Sequence, residues 1–190
     1  MTEAYFRDED FSAENLRNGD LPAGEYELCS FRGINLSGAN LSKMTFSECI
    51  FEACDLSNSV AKGTCIRDTE FIDCKLMGIN FNELDPFLLS FSFKNCLLSY
   101  SSFSRLKLKN TTFDTCKLVQ VDFSEADFTS AYFGNCDFSG AIFYNTKLEK
   151  ADFSTSRNFS IDPENNTVKG ARFSSENIGG LLEKYKIKID

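Results

Sequence analysis

Large apolar residues recur at every fifth position through most of this chain. They run from Phe6 to Phe81 and, after a slip of two residues, from Leu88 to Phe153; of these 30 positions 27 are Phe or Leu. A period of five matches neither the 3.6-residue period of an α-helix nor the two-residue period of a strand. A fixed short period is typical of a stacked repeat architecture, in which each unit packs only on its neighbours.

The residues around each apolar centre are patterned as well. A small residue stands two positions before the centre, Asp or Asn often directly before it, and Ser or Thr often directly after it, as in residues 38–42 (Gly-Ala-Asn-Leu-Ser) and 125–129 (Glu-Ala-Asp-Phe-Thr). Over about residues 4–156 the sequence therefore resembles the pentapeptide-repeat family. That resemblance implies an all-β fold, a right-handed quadrilateral parallel β-helix with four repeats in each coil.

A coil of four repeats is also visible in the residues themselves. Phe occurs at 11, 31, 51 and 71, and Leu at 16, 36, 56 and 76, while opposite charges recur at the same spacing in Arg7–Glu27 and Arg32–Glu52. Residues one coil apart are lateral neighbours at about 4.8 Å, where unlike charges attract. The pattern predicts seven to eight coils, which we expect to form one domain over residues 1–156.

The slip at residues 82–88 predicts one corner rebuilt with two extra residues. With Leu88 as the next inward centre, the Phe column continues into Phe93 and the Leu column into Leu98. That continuity favours one rod over two domains. Phe91 is too large for a small position, so we expect the coil to widen beside Pro86.

Residues 157–190 form a separate tail, predicted as a turn, a capping helix and a short C-terminal strand. The strand prediction rests on Ile187 and Ile189, which alternate with polar residues. In the helix, four apolar residues are spaced to share one face. This face is a candidate cap or dimer interface: Ile178, Leu181, Leu182 and Tyr185.

Two interpretations of the tail stay open, a cap over the last coil and a cap that also forms a homodimer. The tail resembles that of the quinolone-resistance (Qnr-like) proteins and of the microcin B immunity protein. Several of those relatives are C-terminal dimers that bind DNA gyrase, as acidic rods that imitate duplex DNA. The resemblance thus implies DNA gyrase or a related topoisomerase as a partner.

The eight cysteines raise the question of metal binding or disulfides. Seven of them occupy the small inward position, where a free thiol packs as a small apolar group, and only Cys65 does not. The chain has no His and no CxxC spacing, so we predict neither a metal site nor a cofactor. No catalytic triad and no phosphate-binding loop is present, and we expect a protein that is not an enzyme.

The net charge of −8 is unevenly spread, with −9 in residues 1–86 and +1 in residues 87–190. Direct binding of nucleic acid is disfavoured because phosphate contacts need a basic surface. Five carboxylates are predicted at one corner of the first four coils, and we call them the acidic corner: Asp8, Asp10, Glu48, Asp68 and Glu70.

The acidic corner has two interpretations. It either keeps a stacked protein soluble, or it forms a negative surface that occupies a basic DNA-binding groove. Two functions follow: a DNA mimic that binds gyrase or topoisomerase and protects against quinolones or a gyrase poison, or a non-catalytic interaction rod with another partner. The N-terminus lacks a basic and an apolar signal region, and no apolar run approaches the length of a membrane-spanning helix. We therefore expect a cytoplasmic location without membrane contact.

Overall fold

The chain forms a parallel β-solenoid in the computed structural model, which describes residues 4–14, 16 and 21–188. One sheet has the order β1 (Ala4–Arg7), β3 (Gly24–Glu27), β5 (Thr45–Ser47) and β7 (Cys65–Arg67). The other has the order β2 (Asp10–Ser12), β4 (Ser30–Arg32), β6 (Ile50–Glu52), β8 (Thr69–Ile72), β9 (Phe91–Lys94), β10 (Thr112–Asp114) and β11 (Tyr132–Gly134). The predicted all-β fold of stacked parallel coils is confirmed.

Strand pairing joins positions that are four repeats apart, as the sequence predicts. Phe11 pairs with Phe31, and Phe31 pairs with Phe51. On the remaining sides the contacts reduce to isolated parallel bridges, such as Asn35–Asp55 and Asn40–Val60. Ladder contacts thus recur once in every repeat around the coil, which gives the solenoid four sides.

Phe rings stacked along the solenoid axis fill its interior. The rings of Phe31 and Phe51 lie 4.3 Å apart at an interplanar angle of 10°, whereas Phe31 and Phe46, in different columns, meet edge to face at 5.7 Å and 80°. Both arrangements suit the charge distribution of aromatic rings. Each buried ring contributes about 1.5–3 kcal/mol through loss of contact with water.

The polar residues of the repeat shape the corners. The Oδ1 atom of Asn35 accepts a hydrogen bond from the backbone N–H of Ser37 at 3.0 Å, and Asp55 accepts one from Ser57 at 3.0 Å. Such turns within one repeat bend the chain while satisfying a backbone donor. The residue that follows is often left-handed, as at Asn58 (φ 57°), which suits Asn and Gly.

The two-residue slip is accommodated at one corner, as predicted. β8 pairs with β9 so that Phe71 lies beside Phe93, two positions beyond the regular register. A short 3-10 helix, Phe81–Glu83, precedes the altered corner. The Phe column passes through the slip without interruption, since the ring of Phe71 stacks on that of Phe93 at 5.3 Å.

The inward position assigned to Leu88 is wrong. Leu88 is 63% exposed in a left-handed conformation (φ 55°), and its neighbour Phe87 is 64% exposed. Leu84 and Phe91 are buried instead, at 4% and 5% exposure. The ring of Phe91 lies 5.1 Å from that of Phe93, so its bulk fills interior space and the extra residues are pushed to the surface.

The cysteines are free thiols, and all except Cys65 are buried. The Sγ atom of Cys54 donates to the carbonyl oxygen of Phe31 at 3.3 Å, and Cys74 donates to Phe51 at 3.3 Å. Burial raises the pKa of Cys49 to about 11, which keeps that thiol protonated and unreactive at neutral pH. The buried thiols pack as small interior groups, as predicted.

Ladder contacts extend beyond Ser156, so the coils run further than the boundary predicted there. Thr167 bridges to Lys147 and Arg172 to Asp152, because Val168 and Phe173 restore the spacing that residues 158–166 interrupt. The predicted capping helix forms only as two 3-10 segments, Ile178–Leu181 and Glu183–Tyr185. Ile187 is in no strand, and Ile189, the other residue of the predicted strand, lies outside the described residues.

Within residues 4–14, 16 and 21–188, no helix is long and apolar enough to cross a membrane.

Candidate interaction surfaces: the acidic corner and the C-terminal cap

The five residues of the acidic corner do lie at one corner of the N-terminal coils. Asp8, Glu48 and Asp68 occupy the same left-handed position in different coils, with φ of 57°, 53° and 44°. Asp10 and Glu70 stand two residues further along the chain, in β2 and β8. All five side chains are exposed, so their charges reach solvent together.

The acidic corner is interrupted at two places. Leu28 occupies the left-handed position between Asp8 and Glu48 and is 42% exposed. Ile50 pairs with Glu70 across β6 and β8 and is also 42% exposed. The surface therefore presents carboxylates beside exposed apolar side chains, a mixture that suits a protein partner.

The absence of ion pairs distinguishes three residues of this corner, Glu48, Asp68 and Glu70, from other acidic residues nearby within the described part of the chain. Arg7 lies 3.6 Å from Glu27, and Arg32 lies 3.2 Å from Glu52, which neutralises those two carboxylates. Among the described residues, Glu48, Asp68 and Glu70 take part in no ion pair. Asp68 accepts a hydrogen bond from the hydroxyl of Ser90 at 2.7 Å, which fixes one carboxylate without cancelling its charge.

The repeat pattern did not predict a neighbouring feature of the surface. The rebuilt corner displays Phe87 and Leu88, and the guanidinium of Arg67 lies 5.7 Å from the centre of the Phe87 ring. A cation over an aromatic face is attracted by the ring quadrupole. The signal in the sequence was the pair of extra residues itself, but a repeat pattern does not show which of them the coil expels.

The C-terminal tail covers the end of the core. The ring of Phe173 stacks on that of Phe153 at 5.4 Å, and Phe159 lies 5.3 Å from Phe173. The side-chain amide of Asn177 donates to the carbonyl oxygens of Phe153 (3.1 Å) and Ser156 (2.8 Å). Asn177 thereby pairs the carbonyl oxygen of Ser156 and gives a second hydrogen bond to that of Phe153, which also accepts from the N–H of Ser156 at 3.0 Å.

The four residues predicted as a cap or dimer interface are divided by the structure. Leu181 packs against the core, and Leu182 is half-buried, whereas Ile178 and Tyr185 are 44% and 53% exposed. The Tyr185 hydroxyl donates to Glu164 at 2.9 Å. The single apolar face expected of an α-helix does not form, because two 3-10 turns place the same residues at different angles.

A glycine explains the local conformation of the tail. The backbone N–H of Ile161 donates to the carbonyl oxygen of Gly180 at 2.9 Å. A Cβ atom at Gly180 would lie 2.2 Å from the carbonyl oxygen of Phe159. Only glycine permits this close approach, so the Gly179-Gly180 pair that weakens an α-helix is what docks the tail.

The described residues contain no group of three or more His, Cys, Asp or Glu side chains that could hold a metal ion.

Comparisons with known proteins agree with the repeat pattern. Residues 88–178 match the family model "Pentapeptide repeat region", and residues 29–68 match the model "Pentapeptide repeats (8 copies)". No protein of the curated set matches the sequence.

Solved structures match the fold. Full-length QnrB1, a plasmid-mediated fluoroquinolone resistance protein, aligns at a TM-score of 0.65 and 18% identity, over 97% of this chain and 100% of that one. A trypsin-treated single-substitution variant of QnrB1 gives the same TM-score and identity over 100% of both chains. HetL, from the cyanobacterium Nostoc sp. strain PCC 7120, aligns over 90% of this chain and 84% of its own, with 15% identity and a TM-score of only 0.38. At these identities the QnrB1 matches establish the fold alone.

Proposed function

This chain belongs to the pentapeptide-repeat family, and from that premise we propose that it is a non-catalytic protein that binds DNA gyrase or a related topoisomerase as a mimic of duplex DNA. The role would be protection of the enzyme against quinolones or another gyrase poison. One observation carries the proposal: Glu48, Asp68 and Glu70 stand exposed at one corner and take part in no ion pair within the described part of the chain. The fold shared with a fluoroquinolone resistance protein supports it.

The acidic corner shares with duplex DNA the sign of its charge and the arrangement of that charge in a row along an axis. Positions one coil apart lie about 4.8 Å apart, so Glu48 and Asp68 are neighbours at that distance and Asp8 lies about two coils away from Glu48. Duplex DNA carries one negative charge for roughly every 1.7 Å of its axis, and a groove built for DNA presents Lys and Arg to it. A rigid row of carboxylates would attract that groove over a long range.

The rod shape contributes rigidity. Since each coil is fixed by ladder hydrogen bonds and stacked rings, the carboxylates lose little conformational freedom on binding apart from their own rotamers. A preorganised surface converts more of its electrostatic attraction into affinity. Neither chemistry nor a cofactor is needed for this role.

A gyrase supercoiling assay with and without ciprofloxacin tests the proposal. We expect the purified protein to restore supercoiling in the presence of the drug. The variant Glu48→Lys/Asp68→Lys/Glu70→Lys should lose this protection, because it makes the corner basic while altering only exposed side chains.

A matched control reverses three exposed carboxylates elsewhere: Glu83→Lys/Glu125→Lys/Glu176→Lys. It changes the net charge equally and should retain protection. If wild type does not protect gyrase at low salt, or if both variants protect equally, the proposal fails, and a rod that binds a different partner is the better account.

A further inference from the structure

One side of the rod separates its charges into two halves. In the N-terminal coils this side is the sheet β1-β3-β5-β7. In the C-terminal coils it is the row of bridges Lys107–Asp127 and Lys147–Thr167. In each coil we include the corner residue that directly follows this side. Both parts come directly before the side formed by the seven-stranded sheet, which the bridges Tyr132–Asp152 and Asp152–Arg172 continue, so they lie on the same side. We call this side the divided face.

The two halves of the divided face carry opposite net charge. The N-terminal half has five acids and two bases: Asp8, Glu25, Glu27, Glu48 and Asp68, with Arg7 and Arg67. The C-terminal half has five bases and two acids: Lys107, Lys109, Lys147, Lys150 and Lys169, with Asp127 and Glu149. The net charges are therefore −3 and +3.

The adjoining side has no basic half. On the side formed by β2 to β11 the first half is also acidic, with a net charge of −3: Asp10, Glu52, Glu70 and Asp73, with Arg32. Its second half carries no net charge: Lys94 and Arg172, with Asp114 and Asp152. Of these two sides, only the divided face therefore combines an acidic half with a basic half.

Exposed apolar residues lie between the two charged halves, together with one half-buried carboxylate, Asp85. The rebuilt corner places Phe87 and Leu88 between β7 and Lys107 on the same side, at 64% and 63% exposure. A two-fold axis through this corner would bring Phe87 and Leu88 against their own copies. The same rotation would place the acidic half of one chain on the basic half of the other, as an isologous contact requires.

We propose that the divided face is a self-association surface, on which a second copy of this chain lies side by side and antiparallel. Coils at equal distances from the axis face each other: Asp68 meets Lys107 and Lys109, Glu25 and Glu27 meet Lys147 and Lys150, and Asp8 meets Lys169. Three levels are less complementary, because Arg67 and Arg7 share the levels of Asp68 and Asp8, and Glu48 faces the level of Asp127. Asp127 is only 9% exposed, and its carboxylate lies 3.6 Å from the Nζ atom of Lys109, which limits its repulsion of Glu48.

The size of the face sets the strength of the contact. A strip about 40 Å long and about 10 Å wide buries less than the roughly 1,200 Å² of a standard stable interface. The dimer is therefore weak, forms at high protein concentration and dissociates as salt screens its charges. The dimer covers Asp8, Glu48 and Asp68. Self-association therefore competes with any partner that binds the acidic corner, whatever that partner is.

Sedimentation velocity of the full chain at several protein concentrations, in 50 and 300 mM salt, tests this surface. We expect dimers at low salt and at least a tenfold weaker association at high salt. The variants Glu25→Lys/Glu27→Lys and Lys147→Glu/Lys150→Glu should each be monomeric, because both contact zones become repulsive. Mixed in equal amounts, the two variants should form a heterodimer, since both zones are then attractive again.

A second experiment fixes the position of the axis. A residue beside a two-fold axis meets its own copy, so Leu88→Cys should form an intermolecular disulfide under mild oxidation at low salt. The matched control is Ile142→Cys, a similarly exposed apolar position on another side. A failure of the mixed variants to associate, or equal cross-linking of Leu88→Cys and Ile142→Cys, overturns the proposal. Neither outcome depends on gyrase, so this test and that of the proposed function fail independently.

Discussion

At the scale of single residues, the centre of each repeat carries the stability of the solenoid. Phe113 is fully buried, and its ring stacks on those of Phe93 and Phe133 at 5.0 and 5.1 Å. Phe113→Ala would open a cavity within a continuous column, which costs about 3–5 kcal/mol. Lys117→Ala, at an exposed position, should cost less than about 1 kcal/mol. Chemical denaturation of both variants gives the comparison, and similar midpoint shifts would contradict the assigned interior.

Acid sensitivity is also decided by individual residues. Burial alone would raise the pKa of Asp127, but hydrogen bonds from Thr129 and the charge of Lys109 bring that pKa below its ordinary value. At Asp55, Asp137 and Asp152 burial likewise opposes ionisation, and hydrogen bonds and nearby cations again outweigh it, so their pKa values are also lowered. A carboxylate with a depressed folded pKa stabilises the protein above its unfolded pKa, about 3.9, and that contribution is lost as the pH falls through the folded value.

We therefore expect the unfolding free energy to fall when the pH is lowered from 5 to below about 4. Asp127→Asn keeps an oxygen acceptor for Thr129 and removes the titrating charge. This variant should lose less stability than wild type over that range, as measured by urea denaturation at each pH. An identical loss in both proteins would show that Asp127 does not contribute to the acid sensitivity.

The sequence predicted the residue-scale interior well, because inward positions obey the repeat. The period placed Phe113 and the cysteines inside, and the structure agrees. Leu88 was misplaced because the two extra residues interrupt the period there, and Leu84 and Phe91, at the usually small positions on either side, are buried instead. Counting from the same centres gives Asp8, Glu48 and Asp68 equivalent positions, and all three share the left-handed conformation of that corner.

At the scale of one coil, the interior is imperfectly packed at Ala61, a small residue at a position that is Phe or Leu in most repeats. The surrounding coils carry Leu41 and Phe81 in that column, and a cavity of about 20 Å³ lies beside Ala61. Ser59 lines the cavity; it is 6% exposed, and its Oγ atom has no hydrogen-bond partner within the described structure. An unpaired buried hydroxyl costs free energy that an apolar residue of similar size does not.

Ser59→Ala should consequently stabilise the protein by about 1 kcal/mol. Ala already occurs at the equivalent position in other coils, at Ala39 and Ala141. Ser101→Ala is the matched control, because Ser101 donates to the carbonyl oxygen of Leu98 at 2.7 Å, and its loss should not stabilise the protein. Thermal or urea denaturation measures the change, and a destabilised Ser59→Ala would mean that the hydroxyl has a partner in the cavity.

The tail shows where prediction of an element from sequence stops. A spacing of three and four residues predicted a helical segment at Ile178–Tyr185, and helical turns do occur there. Their 3-10 form depends on tertiary contacts, namely the docking of Gly180 on Phe159 and the anchoring of Asn177 in the last coil. The spacing of apolar residues cannot predict such contacts, because they join segments that are distant in the sequence.

At the scale of the whole molecule, the solenoid converts a linear charge pattern into surfaces. The acidic corner lies in the N-terminal coils, the tail closes the other end, and the divided face runs along the rod and includes Asp8, Glu48 and Asp68 of the acidic corner. The fold and the positions of the acidic side chains followed from the sequence, whereas the apolar pair Phe87–Leu88 needed the structure. Which partner uses the acidic corner depends on the partner's own surface, which no pattern in this chain encodes.

Direct binding to purified DNA gyrase, measured by titration at 50 and 300 mM salt, tests the central claim most directly. We expect saturable binding at low salt, at least tenfold weaker binding at high salt, and competition by duplex DNA. We further expect that Glu48→Lys/Asp68→Lys/Glu70→Lys abolishes the binding while Glu83→Lys/Glu125→Lys/Glu176→Lys does not. Absence of wild-type binding at 50 mM salt, or binding that the corner variant leaves unchanged, would contradict the central claim.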